Sequence, residues 1–334
     1  MSFADRYDVA LFDLDGVVYL GPQAVTGAPE AISQLREHGV QIGFVTNNAA
    51  RSPEAVAAHL TELGVTATAD EVISSAPVTV GLMAERFPAG SKVLVVGTDN
   101  LAEQLTAVGL TPVRSAEDAP VAVVQGYNND LDWRSLDEAA LAIAAGAVWY
   151  ATNGDLTRPT ERGLVPGNGA AVAALAAAVE PDPIVIGKPH PPLLLAALER
   201  FGTEPSRAVF VGDRLDTDIQ GAVATGMDSL LVFTGTHGKQ DLLTAAADRR
   251  PSLIGAGIAT LLSEYQVTVE VDRATVGAAS ADINGSELRW SADLDSEDGQ
   301  YDLLRAALPL AWAAADRGHM VDPAPLAAAL DKLR

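Results

Sequence analysis

The stretch Asp13-Leu14-Asp15-Gly16-Val17 directly follows the apolar run Val9–Phe12. An apolar run of this length that ends at Asp and Gly predicts a buried strand leaving its sheet at Asp13. Beyond the end of a strand, side chains need not alternate between opposite faces, so both carboxylates can approach one reaction centre. One Asp can then attack phosphorus while the other moves a proton. The alternative interpretation is a solvated turn, in which Asp and Gly are common.

Composition narrows the classes of function. A chain of 334 residues predicts two or three domains, and 48% apolar with 20% charged residues is typical of globular proteins. The net charge of −22 opposes broad contact with nucleic acid or anionic membranes, because such surfaces need Lys and Arg. A small anionic substrate can still bind where one cation or metal inverts the local field. The absence of cysteine excludes disulfides, thiolate nucleophiles and Cys-ligated zinc.

The N-terminal residues show no positively charged leader followed by an apolar core, and no apolar run reaches membrane-spanning length. We therefore expect a cytoplasmic protein with no membrane and no nucleic-acid partner. A homodimer is left open.

Short apolar runs alternate with longer amphipathic segments up to about residue 262, which is typical of βαβ units and a mostly parallel sheet. The predicted strands are Val9–Phe12, Gln41–Val45, Lys92–Val96, Val121–Val124, Val148–Ala151, Ile184–Ile186, Ala208–Val211 and Ser229–Val232. The predicted helices are Pro29–His38, Pro53–Leu63, Trp133–Ala145, Gly169–Val179, Pro192–Phe201 and Asp216–Thr225. The expected fold class is α/β.

The pattern changes after Leu262, where alternation indicates antiparallel strands and Asn284-Gly285 indicates a hairpin turn. The predicted strands of this region are Tyr265–Val271, Thr275–Ala281 and Glu287–Trp290. A long helix over about Gln300–Asp316 follows, and Asp322-Pro323 starts a short one. Strands followed by helices predict a separate, small α+β domain.

Two further strand ends carry groups that can bind phosphate. Thr46-Asn47-Asn48 follows the strand Gln41–Val45, and its hydroxyl and backbone amides suit a phosphate-binding nest. An ordinary Asx or ST turn is the alternative. Gly187-Lys188-Pro189 follows Ile184–Ile186 and can present one cation to a dianion. A surface Lys is the alternative there.

The fourth strand end is acidic. Asp213, Asp216 and Asp218 follow the strand Ala208–Val211 and can hold a divalent cation, since Mg²⁺ prefers one or two carboxylates plus substrate oxygens. An acidic cluster favoured by a helix dipole is the alternative. Because ligands of open α/β sheets bind at the carboxyl ends of the strands, the four strand ends together predict one site.

In this order the motifs resemble those of the haloacid dehalogenase (HAD) superfamily of phosphatases, subclass IIA, which includes phosphoglycolate, pyridoxal phosphate and nucleotide phosphatases. The resemblance covers about residues 5–250. It rests on the four strand ends and on two cap-like signatures, Ala151-Thr152-Asn153-Gly154-Asp155 and Pro166-Gly167-Asn168-Gly169. It implies a Rossmann-like, doubly wound core over 1–79 and 183–255, an α/β cap domain inserted over 80–182, and a small C-terminal α+β domain over 264–334.

The resemblance also implies roles for the motif residues. Asp13 would be the nucleophile and Asp15 the acid and base. Mg²⁺ would be held by Asp13, the backbone carbonyl of Asp15 and Asp213, while Asp218 would orient these ligands. The groups expected to bind the phosphoryl oxygens are Thr46, Asn47, Asn48 and Lys188. Because Asp15 serves a leaving alcohol, the motif favours a phosphatase over a dehalogenase.

The substrate is expected to be small and polar. In the family, a cap loop after the Thr-Asn-x-Asp signature reaches the leaving group, and Arg158 lies in the corresponding stretch. A solvated loop Arg is the alternative. A cap with an appended C-terminal domain resembles the arrangement in glycerol 3-phosphate phosphatases, so glycerol 3-phosphate is the expected substrate, within glycerol metabolism and phospholipid recycling. Phosphoglycolate and nucleotide monophosphates are alternatives.

Two other classes of function remain. A non-catalytic HAD-fold binding protein would have no use for the proton-transferring Asp15. The C-terminal region resembles part of an acetyltransferase-like (GNAT) fold, but it contains no Arg/Gln-x-x-Gly-x-Gly loop to bind a pyrophosphate. A packing or regulatory role is therefore expected for it rather than acyl transfer.

Overall fold

A computed structural model describes residues 2–49, 51–160, 162–285 and 287–333 of the chain. Its strands are β1 (Val9–Phe12), β2 (Tyr19–Leu20), β3 (Gln23–Ala24), β4 (Gln41–Thr46), β5 (Val72–Ser74), β6 (Lys92–Val96), β7 (Thr111–Val113), β8 (Ala122–Gln125), β9 (Val148–Ala151), β10 (Thr157–Thr160), β11 (Gly163–Pro166), β12 (Ile184–Val185), β13 (Ala208–Gly212), β14 (Asp228–Val232), β15 (Leu253–Gly255), β16 (Thr268–Val269), β17 (Arg273–Val276), β18 (Ala279–Asn284) and β19 (Glu287–Ser291).

The helices of the described residues are α1 (Ala28–Glu37), α2 (Pro53–Glu62), α3 (Ser75–Arg86), α4 (Asp99–Ala107), α5 (Trp133–Ala144), α6 (Asn168–Ala176), α7 (Pro191–Phe201), α8 (Gln220–Thr225), α9 (Lys239–Leu243), α10 (Glu297–Asp316) and α11 (Ala324–Ala329). Within the described ranges, none of them has the length and apolar character needed to cross a bilayer.

Most predicted elements are confirmed, with bounds that shift by a few residues, and β1, β6 and β9 have the predicted bounds. The prediction of one strand over Thr275–Ala281 was wrong. The chain reverses after Val276, where Gly277 adopts a φ of +55° that favours glycine, and Val276 pairs with Ala279 across the turn. Apolar alternation continues through this tight hairpin, so periodicity alone did not reveal it.

The predicted helix Asp216–Thr225 was also only partly right. A π-helical turn over Leu215–Ile219 precedes α8. Of the strand predicted over Tyr265–Val271, only the two residues of β16 form a strand. The elements that the sequence did not predict are β2, β3, β5, β7, β10, β11, β15, α3, α4 and α9.

The largest sheet has six strands in the order β15-β14-β13-β1-β4-β5. Strands β1 and β13 pair in parallel, with Phe12 opposite Val211. Every residue of β1 is buried, as expected for a strand covered on both faces. Because β1 and β13 are parallel, Asp13 and Asp213, which directly follow them, lie at the same edge of the sheet.

The chain divides into two compact units, one of residues 1–42, 63–65 and 201–334 and the other of 43–62 and 66–200. The division differs from the three domains predicted from the sequence, whose boundaries at 79/80, 182/183 and 255/264 stay predictions.

The second unit contains a five-stranded sheet of order β12-β9-β8-β6-β7. Consecutive residues of β6 face opposite cores. Val93 and Val95 pack with α3 and α4, while Leu94 and Val96 pack with α5 and α6. The unbroken apolar run of β6 is explained by this burial on both faces. The structure confirms an α/β arrangement here, in the region predicted as the cap.

The C-terminal part of the first unit is a four-stranded antiparallel sheet of order β16-β17-β18-β19 that packs on α10. The predicted turn at Asn284-Gly285 joins β18 to β19, with Asn284 paired to Glu287. Side chains of α10 and α11 share one buried core with Leu215, Ile219 and Leu242. The antiparallel sheet and its helices have the α+β character predicted for this region, while a separate C-terminal domain stays a prediction.

Candidate active site

Three carboxylates of the first unit converge at the carboxyl end of its parallel strands. Asp13 follows β1, Asp213 follows β13, and Asp218 lies in the π-helical turn beyond it. One oxygen from each lies within 4.8 Å of the others, and Asp213 and Asp218 are 1% and 0% exposed. Three carboxylates this close, two of them buried, repel one another unless a cation joins them. Hard oxygen donors of this kind suit Mg²⁺.

Asp218 braces the loop that carries Asp213. Its Oδ2 accepts hydrogen bonds from the backbone N–H groups of Asp213 at 3.2 Å and Arg214 at 3.1 Å. Because Asp218 is fully buried, these bonds fix the direction in which Asp213 leaves β13.

Asp216, the third acid of this loop, has a different partner. Its carboxylate accepts from Arg214 Nε at 3.0 Å and Nη2 at 2.9 Å. Burial raises the pKa of Asp216, but the hydrogen bonds and charge of Arg214 outweigh it, so the pKa lies below its usual range. Asp216 therefore forms an ion pair with Arg214. Among the described residues it does not belong to the cluster of carboxylates.

The second motif carboxylate, Asp15, is exposed and follows the buried Leu14. Gly16 comes next with a φ of +88°, and its backbone N–H donates to the Tyr19 carbonyl at 2.8 Å. A Cβ at Gly16 would lie 2.6 Å from Asp213 Oδ2. Glycine is therefore required both for the turn and for the close approach to Asp213.

Asp213 is contacted by a segment that was not among the predicted site residues, and we call it the 234–239 segment (Thr234–Lys239). The Thr236 N–H donates to Asp213 Oδ2, and the His237 N–H donates to the Asp213 carbonyl at 3.1 Å. His237 Nδ1 accepts from the Leu215 N–H at 3.0 Å. The available signal was Thr234-Gly235-Thr236 just after β14, a fifth strand end with a glycine.

A second cluster lies at the end of β4 in the second unit. Thr46, Asn47 and Lys188 are 4%, 8% and 3% exposed. The Asn47 side chain brackets the backbone of Lys188: its Oδ1 accepts from the Lys188 N–H at 2.8 Å and its Nδ2 donates to the Lys188 carbonyl at 3.0 Å. The Lys188 ammonium donates to the Val45 carbonyl at 3.4 Å. The cluster thus contains a buried ammonium group and a buried threonine.

Polar side chains of the predicted cap signature complete this cluster. Asn47 Nδ2 also donates to Asp155 Oδ1 at 3.1 Å, and Asn153 Nδ2 donates to the Asn47 carbonyl at 2.8 Å. The Ser75 hydroxyl donates to the same carbonyl, also at 2.8 Å. The sequence predicts the Asn47 amide at a phosphate, and the structure adds that the Asn47 side chain organises the Lys188 loop. Asn48, the third residue of the motif, is exposed, and its N–H donates to Thr46 Oγ1 at 3.0 Å.

Arg158 lies on β10 of the second unit. Its guanidinium carbon is 4.8 Å from the centre of the Tyr127 ring, and its Nη2 donates to Asn129 Oδ1 at 3.4 Å. No described residue accepts a hydrogen bond from the buried Arg158 Nε. Stacking on Tyr127 therefore holds the side chain, while its Nε donor has no acceptor among the described residues.

The family model described as haloacid dehalogenase-like hydrolase matches residues 10–111, and one described as HAD-hydrolase-like matches residues 185–261. These ranges contain both Asp-rich strand ends, Thr46 and Lys188.

Named relatives match over most of the chain. The chain is 44% identical over 318 residues to the D-glycerol 3-phosphate phosphatase of Mycobacterium tuberculosis, covering 94% of this chain and 88% of the relative. It is 36% identical over 237 residues to an acid sugar phosphatase of Staphylococcus saprophyticus, covering 71% and 90%. A crystal structure of the glycerol phosphate phosphatase of M. tuberculosis in complex with magnesium matches with a TM-score of 0.84 and 42% identity, covering 99% and 98%. The chain belongs to the haloacid dehalogenase-like hydrolases.

Proposed function

We propose that this protein is a Mg²⁺-dependent phosphomonoesterase that hydrolyses glycerol 3-phosphate through an aspartyl-phosphate intermediate. The observation that carries the proposal is the cluster of Asp13, Asp213 and Asp218, whose oxygens lie within 4.8 Å of one another at the end of a buried parallel strand pair. Asp13 is the half-buried member beside the exposed Asp15, as a nucleophile with access to substrate requires.

Each residue has a distinct task in the reaction. The Asp13 carboxylate attacks phosphorus, forming a new P–O bond as the ester P–O bond breaks. Asp15 donates a proton to the departing glycerol oxygen and then accepts one from the water that hydrolyses the aspartyl-phosphate. In the proposed site, Thr46, the backbone of Asn47 and Asn48, and Lys188 bind the transferring oxygens.

The proposed metal ligands are Asp13, the Asp15 carbonyl and Asp213, with Asp218 holding Asp213 in place. When bound, Mg²⁺ supplies positive charge that offsets the repulsion between a carboxylate nucleophile and a phosphate dianion. The donor set fits, because all the groups are oxygens and two of the three carboxylates are buried.

The choice of glycerol 3-phosphate as the proposed substrate is supported by the names of the relatives. The relative named for D-glycerol 3-phosphate is 44% identical and aligned over 94% of this chain, whereas the one named for acid sugars is aligned over 71%. The net charge of −22 further supports a small ligand over nucleic acid. A cytoplasmic location and a homodimer stay predictions.

The test is a phosphate-release assay over glycerol 3-phosphate, phosphoglycolate and a nucleoside monophosphate, each with Mg²⁺ or with EDTA. Glycerol 3-phosphate should have the highest kcat/KM, and EDTA should abolish turnover.

Asp13→Asn should lower kcat by more than about a thousandfold, because no nucleophile remains. Asp5→Asn, an exposed Asp of the same unit, is the control. Near-normal turnover by Asp13→Asn would remove Asp13 from this role, and no release from any ester would favour a binding protein.

A further inference from the structure

The 234–239 segment contacts both loops that carry the clustered carboxylates. At one end, the Thr234 hydroxyl donates to the Gly16 carbonyl, next to the Asp13 motif. At the other, His237 donates its N–H to the Asp213 carbonyl at 3.1 Å and accepts the Leu215 N–H at Nδ1. A Cβ at Gly235 would lie 1.9 Å from Asp213 Oδ2, so the segment touches the carboxylate itself. The position of this segment thus sets the position of Asp213.

Residues 330–333 contact Lys239, the last residue of the same segment. The half-buried Lys239 ammonium donates to the backbone carbonyls of Leu330 and Leu333, just beyond α11. A cation there also matches the partial negative charge of a helix C-terminus. The Trp312 indole N–H of α10 donates to the Leu242 carbonyl of α9 at 3.1 Å. The short helix α9 is therefore fixed by both C-terminal helices.

The carbonyls that Lys239 binds are themselves held in place. Gln300 of α10 is 0% exposed, and its Nε2 donates to Asp331 Oδ1 at 2.7 Å. Its Oε1 accepts from the Lys332 N–H at 2.9 Å. Two hydrogen bonds to one fully buried amide side chain favour a single conformation of residues 330–333. A continuous set of contacts thus runs from α10 through residues 330–333 and Lys239 to Asp213.

We propose that the C-terminal region, residues 264–334, positions the metal-binding carboxylates through the Lys239 contact and His237. Lys239 and His237 are positioning residues that act on Asp213, and they touch neither substrate nor the phosphoryl group. The inference rests on the proposed Mg²⁺ site. It gives the C-terminal region a role in the reaction without any activity of its own.

The test measures Mg²⁺ binding to the full-length chain by titration calorimetry, together with kcat, KM and the melting temperature. Lys239→Met keeps the length of the side chain and removes its donors, and it should weaken Mg²⁺ binding roughly tenfold. The KM for glycerol 3-phosphate measured at saturating Mg²⁺ should stay within about twofold of the original. Lys239→Arg, which can still donate to the two carbonyls, should restore most of the affinity. Arg317→Met, which alters an exposed basic side chain of the same region outside this set of contacts, is the matched control and should leave Mg²⁺ binding unchanged.

Histidine 237 supplies a second test should Lys239→Met fold poorly. His237→Leu should weaken Mg²⁺ binding, while His237→Asn, which keeps an acceptor for the Leu215 N–H, should recover it. If Mg²⁺ affinity is unchanged in Lys239→Met and His237→Leu while the melting temperature falls, the C-terminal region only stabilises the fold and the inference is overturned. If the unaltered protein binds no Mg²⁺, the proposed function fails first, so the two failures are distinguishable.

Discussion

Arg158 has a side-chain donor that no described residue accepts, although its guanidinium contacts two neighbouring side chains. It stacks at 4.8 Å on the Tyr127 ring, which fixes the plane of the guanidinium. Its Nη2 contact to Asn129 is long, at 3.4 Å, and its buried Nε has no acceptor among the described residues. A donor left without an acceptor costs free energy unless a ligand or water satisfies it. Arg158 therefore keeps the role expected from the sequence, a contact with the alcohol part of the substrate, as a prediction.

Replacing Arg158 with Ala should raise KM for glycerol 3-phosphate roughly tenfold, in line with the loss of a charge-assisted hydrogen bond. An aryl phosphate that lacks the polyol should be affected about twofold at most. Steady-state kinetics on both substrates measure the difference. Arg134→Ala, an exposed Arg of the same unit, should leave both unchanged. Equal losses on the two substrates would rule out the contact.

The ends of the strands, where the chain leaves a sheet, carry the organising hydrogen bonds of the second unit. At the end of β4, Asn47 satisfies both backbone groups of Lys188. Its own carbonyl accepts from Ser75 and Asn153. A Cβ at Gly187 would lie 2.6 Å from Asn47 Oδ1, so the glycine before Lys188 gives the amide its room. One buried Asn thus ties together the second motif, the third motif and the predicted cap signature.

Asn47→Ala should lower the free energy of unfolding by about 2 kcal/mol or more, because the buried Lys188 N–H and carbonyl lose their partner. The same change should lower kcat, since the Lys188 loop is no longer held. Urea unfolding measures the first effect and phosphate release the second. For the adjacent, exposed Asn48→Ala, the unfolding free energy should change by less than about 0.5 kcal/mol. Equal stability of the two variants would show that the Asn47 bonds add nothing to folding.

Across the first unit, ion pairs join the C-terminal region to the rest. Arg250 donates to both Asp316 oxygens, from Nη1 at 2.7 Å and Nη2 at 2.8 Å, linking the end of α10 to the segment before β15. The Arg250 guanidinium carbon also lies 5.4 Å from the Trp312 ring centre. The hydrogen bond from Arg250 holds the pKa of Asp316 below its usual value near 3.8. Stability from this pair is therefore present above the unfolded pKa and lost as pH falls through the folded one.

Asp316→Asn should accordingly be less stable than the original protein at pH 7, and this difference in stability should be lost at a pH below the lowered folded pKa of Asp316. Urea unfolding at both pH values measures the gap. Asp272→Asn removes an exposed carboxylate of the same region and serves as the control. A gap that stays constant with pH would mean that the Asp316 charge contributes nothing.

The amino-acid sequence determined the parallel core and the chemistry at its strand ends, because both are local properties. An apolar run followed by Asp or Lys beside Gly marks where a buried strand stops, as Val9–Phe12 with Asp13 shows. The sequence did not predict the tight turn at Gly277, because apolar periodicity continues through it. It also did not predict the π-helical turn before α8, because that turn depends on Asp218 accepting a hydrogen bond from the backbone of Asp213. Only the tertiary structure decided which distant side chains serve the motifs. Asn47 lies on Lys188, and Lys239 on Leu330 and Leu333, across separations in sequence that carry no periodic signal. Such contacts form only when the packed core has brought both partners together.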